Sequence, residues 1–127
     1  MKKIVMILLG AAFVAFGALS ATAAHHKNPA TPHSVIHVVT VSWKADATDD
    51  QIKAALDGVK TIAKEYEGCT RVWIRSIKVQ GDKSHAFVME FASEQALKDY
   101  AGSAAQKKWY ELYLPIRGGS TTFDITN

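Results

Sequence analysis

Residues 35–43, Val-Ile-His-Val-Val-Thr-Val-Ser-Trp, are dense in β-branched side chains and apolar on both sides of an extended chain. Alternation puts Val35, His37, Val39, Val41 and Trp43 on one side and Ile36 and Val38 on the other. A strand that is apolar on one face can border water, whereas one that is apolar on both belongs inside a sheet covered twice. Any fold of this chain must supply two layers around that strand. It must do so by burial alone, because Cys69 is the one cysteine among 127 residues and cannot close an intrachain disulfide. Cys69 itself reads as a small buried hydrophobe at a strand start, with no chemical role.

The downstream pattern supplies the layers. Thr48 followed by Asp49, Asp50 and Gln51 is a capping box, and Ile52, Ala55, Leu56, Val59, Ile62, Ala63 and Tyr66 then recur at helical spacing until Gly68. The opposite face of that helix, with Lys53, Asp57, Lys60, Lys64 and Glu67, is a solvated one. Residues 69–80, containing Val72, Trp73, Ile74, Ile77 and Val79, predict a second strand, and Gly81-Asp82-Lys83-Ser84 turns it into a third over 85–91. Ser93 caps a short helix with Leu97, Tyr100 and Ala101 inward and Gly102 at its end. Ser103 with Gln106 opens another that carries Trp109, Leu112 and Tyr113 up to Pro115, and Gly118-Gly119 leads into a last strand with Phe123 and Ile125. The order β-α-β-β-α-β predicts an α+β, ferredoxin-like domain, an antiparallel sheet with helices on one face.

Helices on one face leave the other bare, and Ile36, Val38, Val72, Ile74, Ala86 and Val88 are expected there. The economical cover is a second copy packed sheet to sheet, an isologous homodimer with Ile36, Val38, Val72, Ile74 and Val88 at its interface. Arg71 and Arg75, alternating with Trp73, read as decoration of an edge strand.

Ahead of this domain, Met1-Lys2-Lys3, an apolar run from Ile4 to Leu19 and the small residues Ala21-Thr22-Ala23-Ala24 have the build of a secretory signal peptide over 1–24. Residues 25–33, with Pro29 and Pro32, read as a flexible linker, and 34–127 as the folded domain. Losing Lys2 and Lys3 lowers the formal charge from +3 to +1, which does not suit nucleic acid. The expectation is a periplasmic or secreted protein with no stable membrane anchor after cleavage. His25 and His26 would then lie at or beside a new N-terminal amine, an arrangement of nitrogen donors known to suit copper, although such a tail is more simply disordered.

Three runs carry a family resemblance: "HVVTVSWK" from His37, "TDDQIKAALDGVKTIAKEYEG" from Thr48, and "SHAFVMEFASEQALKDYAGSAAQKKW" from Ser84. With His37 opening the first strand, His85 the third, Glu90-Phe91 ending it and Asp99-Tyr100 closing the short helix, the chain resembles the stress-responsive dimeric α/β-barrel (Dabb) family. The resemblance implies a dimer whose two sheets form a barrel. It also implies kinship with a polyketide cyclase of that family, matched in two strand-opening histidines, His37 and His85, and in a pocket tyrosine, Tyr100. Gln106 stands where that cyclase has its catalytic histidine, and an amide cannot accept a proton near pH 7.

A small-molecule site is expected in the cleft between the sheet and the two C-terminal helices, where His37, His85, Phe87, Met89, Tyr100 and Trp109 would converge with Gln106 at the rim. His37 and His85 open antiparallel neighbours and so fall at opposite ends of the sheet, which argues against a metal between them. No catalytic residue is assigned, and no cofactor or metal is expected. Three readings remain: a non-enzymatic protein of stress response that binds a small apolar or phenolic molecule, a cofactor-free enzyme of cyclase or lyase type using the His/Tyr pocket, and a haem or metal binder sharing only the fold.

Overall fold

A computed structural model of the chain describes residues 31–127. The expected signal peptide over 1–24, most of the 25–33 linker, and His25 and His26 lie outside the described residues. In chain order the elements are β1 (Val35–Trp43), α1 (Asp49–Glu65), β2 (Cys69–Trp73), β3 (His85–Phe91), α2 (Glu94–Tyr100), α3 (Ala104–Tyr113) and β4 (Arg117–Ile125). The four strands form one antiparallel sheet in the order β2-β3-β1-β4. This is the ferredoxin-like α+β arrangement, with two helices in the second crossover.

The helix boundaries follow the caps. Thr48 and Gln51 make the reciprocal box, the Gln51 N–H donating to Thr48 Oγ1 at 3.3 Å and the Thr48 N–H to Gln51 Oε1 at 3.0 Å. Ser93 Oγ accepts from Ala96 N at 3.1 Å to start α2. Ser103 Oγ accepts from Gln106 N at 3.2 Å to start α3, but Gln106 Oε1 reaches one residue further back and accepts from Gly102 N at 2.6 Å. Gly102 has φ +79°, which lets the chain turn sharply between the two helices.

β1 is central, as its two apolar faces require. Its odd residues meet the helices: Val35, Val39 and Val41 are buried with Phe87, Met89 and Phe91 of β3 beneath Ala55, Val59 and Ile62 of α1. α3 closes the same layer with Trp109 and Tyr113. The indole of Trp109 donates to Ala55 O at 2.8 Å, tying α3 to α1 where Gly58 leaves room; a Cβ at Gly58 would lie 2.7 Å from Trp109 Cδ1.

The even residues of β1 face away from the helices. Val38 pairs with Val88 on one side and Phe123 on the other, and Ile36 pairs with Ile125, so these side chains form one apolar patch. Phe123 and Ile125 are 59% and 57% exposed, an unusual cost for large apolar groups.

The second strand differs from expectation in length and phase. It ends at Trp73 rather than residue 80, because the Ser76 hydroxyl accepts from Ala86 N at 2.7 Å and donates to Ala86 O at 2.9 Å, standing in for the backbone ladder. An extra residue between Cys69 and Arg71 shifts the register, so that Val72 opposes Met89 and Trp73 opposes Val88. Val72 and Ile74 therefore pack against the helix-side core, and the outer patch gains Trp73 in their place. β2 lies at the sheet edge, where Arg71 was expected.

Arg71 turns outward as well and makes a two-pronged ion pair with Glu90, one contact being Nη2 to Oε1 at 2.9 Å. Ser34 Oγ also donates to Glu90 Oε1, at 2.7 Å. These partners allow a carboxylate only 4% exposed to remain on the sheet. Among the described residues no helix is long and apolar enough to cross a membrane.

Candidate functional site

The helices cover β1, β3 and β2 but stop short of β4, so Ser120, Thr122 and Asp124 stay exposed on the helix side of that strand. Over them opens a cleft of about 330 Å³, within the size range of small-molecule sites. Its floor is His37 and Val39 of β1 with the three β4 residues; its wall is Leu97, Lys98 and Tyr100 of α2 and Gln106, Trp109, Tyr110 and Tyr113 of α3. Arg117, at the start of β4, closes one end.

His37 and Asp124 occupy opposed positions on β1 and β4, and His37 Nδ1 lies 2.5 Å from Asp124 Oδ1. A carboxylate can only accept, so the proton of a neutral imidazole sits on Nδ1 and the Nε2 lone pair is left free. The ring stands edge-on to Phe91 at 6.0 Å.

Tyr100 is 2% exposed, packed between Phe91 and Tyr66 at centroid distances of 5.0 and 5.7 Å. Burial pushes its pKa well above the ordinary phenol range, so the group stays protonated and is available as a donor. Tyr113 lies flat on Trp109 with ring centroids 4.4 Å apart, and burial raises its pKa too. Among the described residues the Tyr100 hydroxyl has no hydrogen-bond partner, whereas the Tyr113 hydroxyl, without a well-formed bond, lies beside Ser120 and Arg117, which pull its pKa back down against the effect of burial. Buried side-chain hydroxyls are ordinarily paired, so Tyr100 is an unmatched donor among the residues that line the cleft.

The expected site residues are thus divided. His37, Tyr100, Gln106 and Trp109 come together in the cleft. Phe87 and Met89, 1% and 0% exposed, lie in the core under α1 and α3, because β3 is separated from the open edge by β1. His85 stands four residues along the ladder from His37, opposite Val41, and its Nδ1 accepts the indole N–H of Trp43 at 2.9 Å, away from the cleft and beside Ile52 and Leu56. Gln106 lines the cleft with its amide nitrogen uncommitted, its carbonyl being engaged by Gly102.

Asp124, Arg117, Lys98 and Tyr110 were not anticipated. The signal for Asp124 was present: Phe123 and Ile125 alternate with it, so an outward apolar pair places Asp124 on the helix side. Among the described residues no group of three His, Cys, Asp or Glu side chains is placed to hold a metal ion.

The profile of the stress-responsive A/B barrel domain (Dabb) family matches residues 35–127, the whole sheet and all three helices. No curated protein matches the sequence. Among solved structures, one from Arabidopsis thaliana superposes with a TM-score of 0.66 at 18% identity over 73% of this chain and 94% of its own. A hydroxynitrile lyase from Passiflora edulis gives a TM-score of 0.66 at 13% identity, over 74% and 93%. A dimeric protein of unknown function with a ferredoxin-like fold from Bacteroides fragilis gives 0.63 at 11%, over 77% and 100%. At these identities the likeness is one of fold.

Proposed function

The chain belongs to the stress-responsive A/B barrel domain family, and on that premise we propose that it is an exported, homodimeric protein whose cleft binds a small aromatic molecule carrying a hydroxyl or carbonyl group. The observation that supports the reading most directly is the buried Tyr100 hydroxyl, unpaired among the described residues, in a side chain that lines the cleft. Leaving such a group unsatisfied costs about 1–3 kcal/mol, which a ligand oxygen would recover. The stacked Trp109 and Tyr113 offer an aromatic wall for a flat ring.

The dimer reading rests on the outward apolar patch of Val38, Val88, Phe123 and Ile125, and on the dimeric assembly named for the Bacteroides fragilis relative of the same fold. Export rests on the leader pattern of residues 1–24. Intact mass of protein recovered from its own host tests it: a product beginning between Ala21 and His25, outside the cytoplasm, is expected, and retention of residues 1–24 in a membrane fraction would overturn it.

Binding is tested with a neutral probe, 4-hydroxyacetophenone, titrated by calorimetry and by two-dimensional NMR. Saturable shifts at Tyr100, Trp109 and Thr122 are expected, and Tyr100→Phe should weaken binding about fivefold for the loss of one hydrogen bond of ~1 kcal/mol. Absence of saturable shifts would overturn the reading.

His37 held by Asp124 favours a second reading, acid and base chemistry in the same cleft. Its free Nε2 would take a proton from a substrate hydroxyl or activated carbon, while protonated Tyr100 would donate a hydrogen bond to the oxygen where charge develops. Gln106 takes no proton in this scheme. Turnover of a cyanohydrin or a β-ketoacyl thioester that disappears in His37→Ala would decide for it.

A further inference from the structure

The charged groups left free in this cleft are cations. Asp124 is the one carboxylate among the cleft residues and it faces His37; the carbonyl of Gln106 is held by Gly102. What remains among the lining residues is the Arg117 guanidinium, the Lys98 ammonium, the Gln106 amide nitrogen and the hydroxyls of Tyr110, Ser120 and Thr122, while the Tyr100 and Tyr113 oxygens are buried behind them. Among the described residues neither Arg117 nor Lys98 makes an ion pair.

These donors sit at two ends. Arg117 stands opposite Trp43 and Asp124 opposite His37, partners six residues apart on β1 and so ~20 Å between their Cα atoms, before the long arginine side chain leans in. The guanidinium carbon lies 5.6 Å from the centroid of Tyr113, which positions the fork beside the Tyr113 hydroxyl at that end. The other end holds His37, with Nε2 as the acceptor, and Tyr100 packed close by on Phe91. Between them runs the aromatic wall of Trp109, Tyr110 and Tyr113.

We infer that the ligand of this cleft is an elongated aromatic carboxylate, its carboxylate on Arg117 and its hydroxyl on His37. The inference rests on the binding reading above and adds to it the charge and direction of the ligand. A planar guanidinium with no carboxylate of its own matches a carboxylate through two parallel hydrogen bonds, which an ester or amide cannot reproduce. The acceptor at the far end selects a molecule that can offer a hydroxyl hydrogen there.

The test uses two probes of one shape, 4-hydroxycinnamate and its neutral amide, titrated by calorimetry into the protein and into Arg117→Gln. The acid is expected to bind at least tenfold more tightly than the amide, with affinity that falls as salt is raised. Arg117→Gln should bring acid and amide within about threefold of each other, and an unchanged circular dichroism spectrum and melting midpoint report that the variant is folded. Arg117→Lys, keeping charge but not the fork, should recover only part of the preference. Equal binding of acid and amide to the unaltered protein would overturn the charge assignment and leave the aromatic cleft standing. Binding of neither probe nor of 4-hydroxyacetophenone would overturn both.

Discussion

Asp124 of β4 faces His37 of β1 across the ladder, and the 2.5 Å contact between Oδ1 and Nδ1 decides which imidazole nitrogen looks into the cleft. The ¹⁵N shifts of neutral His37 should report a proton on Nδ1 in the unaltered protein. Asp124→Asn should move the tautomer balance toward Nε2–H, with a stability loss below ~1 kcal/mol because Asp124 is half exposed. An unchanged Nδ1–H signal in that variant would show that the carboxylate does not set the tautomer.

Two apolar-to-acid changes separate the faces of the sheet. Val38 lies outward between Val88 and Phe123, so Val38→Asp should give a folded monomer by light scattering, with circular dichroism little altered. Ile74 packs against the helix-side core, so Ile74→Asp should lower stability by about 2–4 kcal/mol. A soluble dimer in Val38→Asp would refute the outer face as the interface.

Acid stability should depend on Glu90. Hydrogen bonds from Arg71 and Ser34 hold its carboxyl below the usual glutamate range. A group whose pKa is depressed by folding stabilises the protein above its unfolded value, and that contribution disappears as pH falls through the lower, folded value. Urea midpoints should therefore hold from neutral pH down to about the ordinary glutamate value of 4.5 and drop below it, and Glu90→Gln should flatten part of that drop while lowering the neutral-pH midpoint. Identical pH profiles for the two proteins would remove Glu90 from the acid response.

Gly58 lets α1 and α3 approach. Gly58→Ala gains helix propensity of ~1 kcal/mol yet drives a methyl toward Trp109, whose indole is anchored on Ala55. A net loss of about 1–3 kcal/mol is expected from the overpacking. Because Trp109 also lines the cleft, weaker binding of 4-hydroxyacetophenone should accompany it. A stabilised variant would mean that the indole moves aside freely.

The caps at Thr48, Ser93 and Ser103 and the two-faced apolar β1 were legible because each is a local signal that tertiary packing left in force. The phase of β2 was not, since one extra residue opposite Glu90 inverts every side chain after it and alternation counted along the chain cannot see a bulge. In the cleft, Tyr100 and Trp109 were visible as the inner stripe of helices. Arg117 was hidden, because its place depends on β4 pairing with β1 from 70 and more residues away.

β4 is open to both sides, and past the register shift opposite Val41–Trp43, which leaves odd-numbered Arg117 on the cleft side, parity divides it. Ser120, Thr122 and Asp124 floor the cleft, while Thr121, Phe123 and Ile125 belong to the outer surface. A change at one parity therefore alters one environment and leaves the other intact, provided that the backbone register is kept. The six residues from Ser120 to Ile125 thus carry two independent messages in alternating letters, and the cavity's chemistry can be rewritten without disturbing what the opposite surface packs against.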